Sequence, residues 1–145
     1  MTHEQRCASV KAVWHGQHDA GFSGDRWESL EITVDGHPKP WIRDLTELAP
    51  EARTTDLFSP DCKHALLLKS RGGPYHVIAT EKLAAYLDGA PPDYVLDGER
   101  TKLPDGEGTT GVGVFRGGAW TSDTSIEYTW GCCDPPVTTK FELPH

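Results

Sequence analysis

The stretch KHALLLKSRGGPYHVIA (63–79) decides the fold class. Leu66, Leu67 and Leu68 make its first half apolar on both faces, the mark of a strand covered on both sides. Arg71-Gly72-Gly73-Pro74 then supplies the glycines and proline that reverse a chain, and Tyr75–Ala79 returns as a second apolar run. The segment reads as a β-hairpin, with its first strand expected at the centre of a sheet.

The same pattern extends to either side. Trp27–Val34 alternates, which places Leu30, Ile32 and Val34 on one face and Glu31 and Thr33 on the other. Asp35-Gly36 follows as a turn that tolerates positive φ. Cys7–His15 is a further strand with Val10, Ala12 and Trp14 inward, and Tyr94–Leu96, Gly111–Arg116, Ser125–Trp130 and Val137–Leu143 complete the set. Pro38 and Pro40 cannot donate ladder hydrogen bonds, so the chain around Trp41 belongs at a sheet edge. Two short helices are predicted, at about 44–49 and 81–88. Asp44 with Glu47 forms a capping pattern for the first, and Pro50 ends it. Leu83, Ala84 and Leu87 line the second, which stops at Asp88-Gly89. The expectation is a mainly β fold, one antiparallel sheet or sandwich spanning residues 1–145 as a single domain.

Two of these hairpins resemble strand–turn–strand units of β-propeller blades of the TolB or WD40-like kind. They are FSPDCKHALLLKSRGGPYHVI (58–78) and GGAWTSDTSIEYTWG (117–131). The consensus of such units carries Gly after Ser-Pro-Asp, where this chain has Cys62. A blade needs about 40–45 residues and a propeller at least four blades, so the resemblance implies blade-like hairpins rather than a closed ring.

Composition limits the function. Leu, Ile, Val and Phe make up only 28 of 145 residues, so the five Trp and four Tyr must fill much of the core. The net charge of −8 comes from 14 basic and 22 acidic residues, and it repels phosphate backbones and anionic lipids. Neither nucleic acid nor membrane is expected as a partner. Met1–Arg6 is polar and no apolar signal run follows, which predicts a cytoplasmic chain whose four cysteines stay reduced.

Motifs for chemistry are sparse. His15 and His18 in HGQHD, with Cys62, His64, Cys132, Cys133 or Asp134 as distant partners, form the one metal candidate, and zinc suits those donors. Cys62 and His64 would share a strand face as a nucleophile and base, but a third orienting group is missing. Gly111-Val112-Gly113 lacks the helix and Lys-Ser/Thr pair of a phosphate loop. The carboxylates Asp93, Asp97, Glu99, Asp105 and Glu107 are spread over turns with no acid–base spacing.

The reading favoured is a non-enzymatic protein-binding module without a cofactor, for instance an immunity-type protein neutralising a basic partner. Trp41 and Trp120 would anchor that partner, and Asp97, Glu99, Asp105 and Glu107 would steer it. The alternatives are a zinc-binding protein or metal-dependent enzyme at His15 and His18, and an assembly subunit pairing through the edge near Pro38–Trp41.

Overall fold

The computed structural model describes residues 1–18, 25–97, 114–131 and 136–144. Its strands are β1 (Thr2–Cys7), β2 (Val10–His18), β3 (Asp25–Val34), β4 (Trp41–Asp44), β5 (His64–Leu68), β6 (Tyr75–Ala79), β7 (Tyr94–Leu96), β8 (Phe115–Trp120), β9 (Ser125–Trp130) and β10 (Val137–Glu142). They form three antiparallel sheets, ordered β1-β2-β3-β4, β5-β6-β7 and β10-β9-β8. Each sheet is a meander of consecutive strands. The fold is mainly β and antiparallel as expected, with three sheets in place of a single one. That arrangement overturns the propeller resemblance, because residues 58–78 and 117–131 fall in separate, open three-stranded sheets, neither closed nor blade-like.

The expected hairpin at 63–79 forms with His64 opposite Ala79 and Leu68 opposite Tyr75. Lys69 N–H donates to Pro74 O at 2.9 Å, and Gly73 N–H to Ser70 O at 3.0 Å. β5 is nevertheless an edge strand, not a central one. Its outer side is covered instead by the preceding loop, where Leu66 N–H donates to Leu57 O at 2.8 Å and Phe58 bridges to Ala65. With that cover four consecutive residues, Ala65–Leu68, are buried although β6 is the only strand paired with β5 among the described residues.

One buried cluster draws on all three sheets, joining Trp14 and Ile32, Leu66 and Val77, and Ile126 and Trp130. Trp14, Trp120 and Trp130 are core residues, as the thin aliphatic content demands. Gly118 makes room for the aromatic part of this core, since a Cβ there would lie 2.9 Å from Tyr75 Cζ and 3.0 Å from Tyr128 Cβ. Tyr75 stands edge-on to Phe115 and Tyr128, with centroids 5.7 and 5.8 Å away, while Phe115 and Tyr128 lie parallel at 6.0 Å.

The helices differ from expectation at the first position. Asp44 does cap Thr46 N–H at 2.9 Å, but only a 3-10 turn, Leu45–Glu47, follows. Pro50 disfavours helical backbone at the residue before it, and Ala49 is extended. A second 3-10 turn occupies Pro50–Ala52. The later helix forms as a 3-10 turn, Thr80–Lys82, running into α1 (Leu83–Leu87). The strand expected at Cys7–His15 forms as β2 with Val10, Ala12 and Trp14 buried, but it begins at Val10, because Ala8 at φ 52° turns the chain back from β1 without a glycine to announce it. Val34 O accepts from His37 N–H at 2.9 Å, which closes the Asp35-Gly36 turn, and Gly36 has φ 83°. β4 follows the two prolines after that turn.

Cys7 and Cys62 form a disulfide with Cα atoms 5.3 Å apart, which overturns the expectation of four reduced thiols. Cys62 sits at φ 64°, a left-handed conformation that glycine adopts most readily. The turn is held by Ser59, whose Oγ donates to Asp61 Oδ1 at 2.7 Å and accepts from His64 N–H at 3.1 Å. A left-handed conformation costs a non-glycine residue about 1–2 kcal/mol. The crosslink outweighs that cost and accounts for a cysteine in a left-handed conformation.

Candidate functional site

β4 is one of the two edge strands of the four-stranded sheet, and the alternation of a strand sorts its four residues. Trp41 and Arg43 turn inward and are half-buried, while Ile42, 67% exposed, and Asp44 face solvent. Opposite the inward pair lie the end of β5, the middle of β6 and the C-terminal end of α1. Together they enclose a cleft of about 400 Å³ walled by Trp41, Tyr86, Leu87 and Pro92, with Arg43, Lys69 and His76 as its polar side chains. Its volume is within the range of ligand sites.

Each polar group is fixed by its surroundings. The guanidinium of Arg43 donates from Nη1 to Leu68 O and from Nη2 to Lys69 O, at 2.6 Å for the latter, so it closes the last carbonyls of the β5 edge. Burial lowers its pKa, and Glu47 opposes that at longer range. His76 Nδ1 and Tyr86 OH are hydrogen-bonded at 2.8 Å with their rings nearly perpendicular, at 80°. Burial, and then the charge of Lys69, lower the His76 pKa and so favour its neutral ring. Burial raises the Tyr86 pKa, with Arg43 acting against it.

A further bond ties the β3–β4 connection to the end of α1. His37, in the β3–β4 connection, bonds Lys39 O through Nδ1 at 2.8 Å and Asp88 Oδ1 through Nε2 at 2.9 Å. A carbonyl and a carboxylate both accept, so a ring making both bonds carries two N–H groups and a positive charge. Those same partners, Asp88 first, raise the His37 pKa.

The candidate residues read from the sequence scatter. Trp41 stands in the cleft. Trp120 is 8% exposed and donates its indole N–H to Leu57 O at 3.2 Å, so it is a core residue rather than a surface anchor. Asp97 is exposed just after β7, where its carbonyl accepts from Tyr128 OH at 3.0 Å, and the structure does not bring it to Trp41's cleft. Glu99, Asp105 and Glu107, the Gly111–Gly113 segment, and Cys132, Cys133 and Asp134 lie outside the described residues, as does the side chain of His18. His15 is exposed on β2, and among the described residues no three His, Cys, Asp or Glu side chains are grouped to hold a metal.

Cys62 has no thiol to offer His64, because it is bonded to Cys7. The two residues line a separate cleft of about 470 Å³ with Lys63 and Thr80. There Thr80 Oγ1 donates to Cys62 O at 2.7 Å, while His64 Nδ1 is buried with no partner among the described residues. Asp93, one of the scattered carboxylates, serves the fold. It accepts from Ala79 N–H at 2.6 Å and pairs with Lys82 Nζ at 3.1 Å.

Arg43, Lys69, His76 and Tyr86 belong to no sequence motif. The available signal is the Trp-x-Arg alternation on a strand assigned to an edge by its prolines. No helix among the described residues is long and apolar enough to cross a membrane. No family model matches this chain, and neither a curated protein nor a solved structure is significantly similar to it.

Proposed function

We propose that the chain is a non-enzymatic protein-binding module that docks an extended partner segment in the cleft between β4 and α1. The observation that supports this reading is Trp41, a large ring half-buried on a free sheet edge beside the exposed Ile42. Tryptophan is among the residues most enriched at the energetic centres of protein interfaces. An edge strand adds main-chain groups that an extended segment can pair with. The net charge of −8 would speed the approach of a partner that is basic overall, and neutralising such a partner is one form this role could take. The disulfide favours an oxidising compartment for the work.

A random peptide library displayed on phage and selected on the immobilised protein tests the reading. The expected result is a family of binders that lose at least about 2 kcal/mol on Trp41→Ala while the thermal midpoint stays within a few degrees. Selection that yields no binders, or binders indifferent to Trp41→Ala, would refute it. A second reading, self-pairing of two copies across β4, is favoured by the 67% exposure of Ile42. Sedimentation showing a dimer that Ile42→Lys dissociates would support it over a separate partner.

A further inference from the structure

We infer that the β4–α1 cleft is a carboxylate receptor, and that the docking segment carries an Asp or Glu side chain next to an apolar residue. The inference rests on the docking reading above and adds the chemistry of the occupant. The cleft is opposite in sign to the chain that contains it. The chain's net charge is −8, yet the charged side chains lining this cleft are Arg43 and Lys69, with no carboxylate among the described residues of its walls.

Arg43 is the main observation. Its guanidinium has five N–H donors. Two are used on Leu68 O and Lys69 O, and among the described residues no ion pair or further hydrogen bond engages the group. Removing a cation from water is expensive, and the two carbonyl dipoles and the longer-range field of Glu47 repay only part of that cost. A carboxylate arriving in the cleft would complete the shell. The planar guanidinium fork, fixed by its two carbonyl bonds, matches the two oxygens of a carboxylate in a way an ammonium cannot. Lys69 is positioned by the same contact, because its carbonyl is the one held by Arg43 Nη2, and its exposed ammonium stands at the rim.

The neutral walls select what lies beside the acid. Trp41, Tyr86 and Pro92 offer flat apolar faces, and His76, its neutral ring favoured by burial, is turned onto Tyr86. An apolar side chain one or two positions from the carboxylate would fill that space. A polyanion such as a nucleic acid fits less well, since every further phosphate meets the field of an acidic chain.

The test continues the peptide selection. Enriched peptides should share an acidic residue beside an apolar one. Changing that acid to its amide, or making Lys69→Gln in the protein, should each weaken binding roughly tenfold, the effect of losing a charge-assisted hydrogen bond. Lys69 is exposed, so its replacement leaves the fold intact where Arg43→Gln would open the β5 edge. Binders that need Trp41 but tolerate both changes would overturn the carboxylate receptor and leave the docking reading standing. Binders indifferent to Trp41→Ala would remove both. Enrichment of Lys- or Arg-bearing peptides would also overturn the inference.

Discussion

Cutting the Cys7–Cys62 crosslink should remove about 4 kcal/mol of stability. The bridge spans a sequence separation of 55 residues. For a loop of that length the chain-entropy relation gives an entropy loss in the unfolded state of roughly 14 cal/mol/K, or about 4 kcal/mol at 25 °C. With a urea slope of roughly 2 kcal/mol/M, the unfolding midpoint should fall by about 2 M. The double variant Cys7→Ala/Cys62→Ala measures this loss against the oxidised parent. A companion, Cys7→Ala/Cys62→Gly, loses the same crosslink but relieves the left-handed backbone at residue 62, where φ is 64°. It should therefore recover about 1 kcal/mol relative to the alanine version. Denaturing thiol titration without reductant should find no more than two reactive thiols in the parent. Four thiols, together with double variants as stable as the parent, would refute the crosslink and the argument built on it.

Three further outcomes are expected. Gly36→Val should cost about 1–2 kcal/mol in equilibrium unfolding through backbone strain alone, because φ is 83° and nothing lies within 4 Å of the added Cβ. Parity with the parent would disprove the turn geometry. Gly118→Ala should cost about 1–3 kcal/mol by overpacking, since its Cβ would press on Tyr75 and Tyr128 at 2.9 and 3.0 Å. An unchanged thermal midpoint would show that those rings can move aside. The His37–Asp88 bond should contribute stability that is fully present below pH 6.5, the ordinary histidine value, and lost as pH rises through the higher folded value. An NMR titration should place His37 above 6.5 in the parent and lower in Asp88→Asn, whereas equal values would remove Asp88 as the cause.

The legible parts of the fold are those where local chemistry and long-range packing agree. Leu30 and Ile32 alternate inward, Ile126, Tyr128 and Trp130 do the same, and the glycines before Tyr75 turn the chain where the strands need it. What escapes a reading of the sequence depends on contacts between distant segments. The turn at Ala8 carries no glycine. The strand expected at Gly111–Arg116 runs on through Gly117-Gly118 to Trp120 as β8, and the place of Gly118 there depends on the rings of Tyr75 and Tyr128 packed against it. β5 reads as central because it is apolar on both faces, and only the return of Leu57 and Phe58 along its edge accounts for that pattern. Trp41 is legible as an edge aromatic from the prolines before it. The cleft around it is not, since Arg43, Lys69 and Tyr86 come from separate segments whose proximity no local pattern encodes. The disulfide is hidden for the same reason: 55 residues separate its halves, and spacing alone cannot pair them.

The guanidinium of Arg43 lies against the end of the most apolar strand in the chain. Ala65–Leu68, four buried residues with no charge and no proline, is the kind of segment that stacks with copies of itself when its edge is bare. The Leu57–Phe58 loop and Arg43 together deny that edge to a neighbouring molecule. Arg43 is thus a clasp between two sheets that also closes the end of this apolar edge, so a polar side chain from one sheet completes the hydrogen bonding of another.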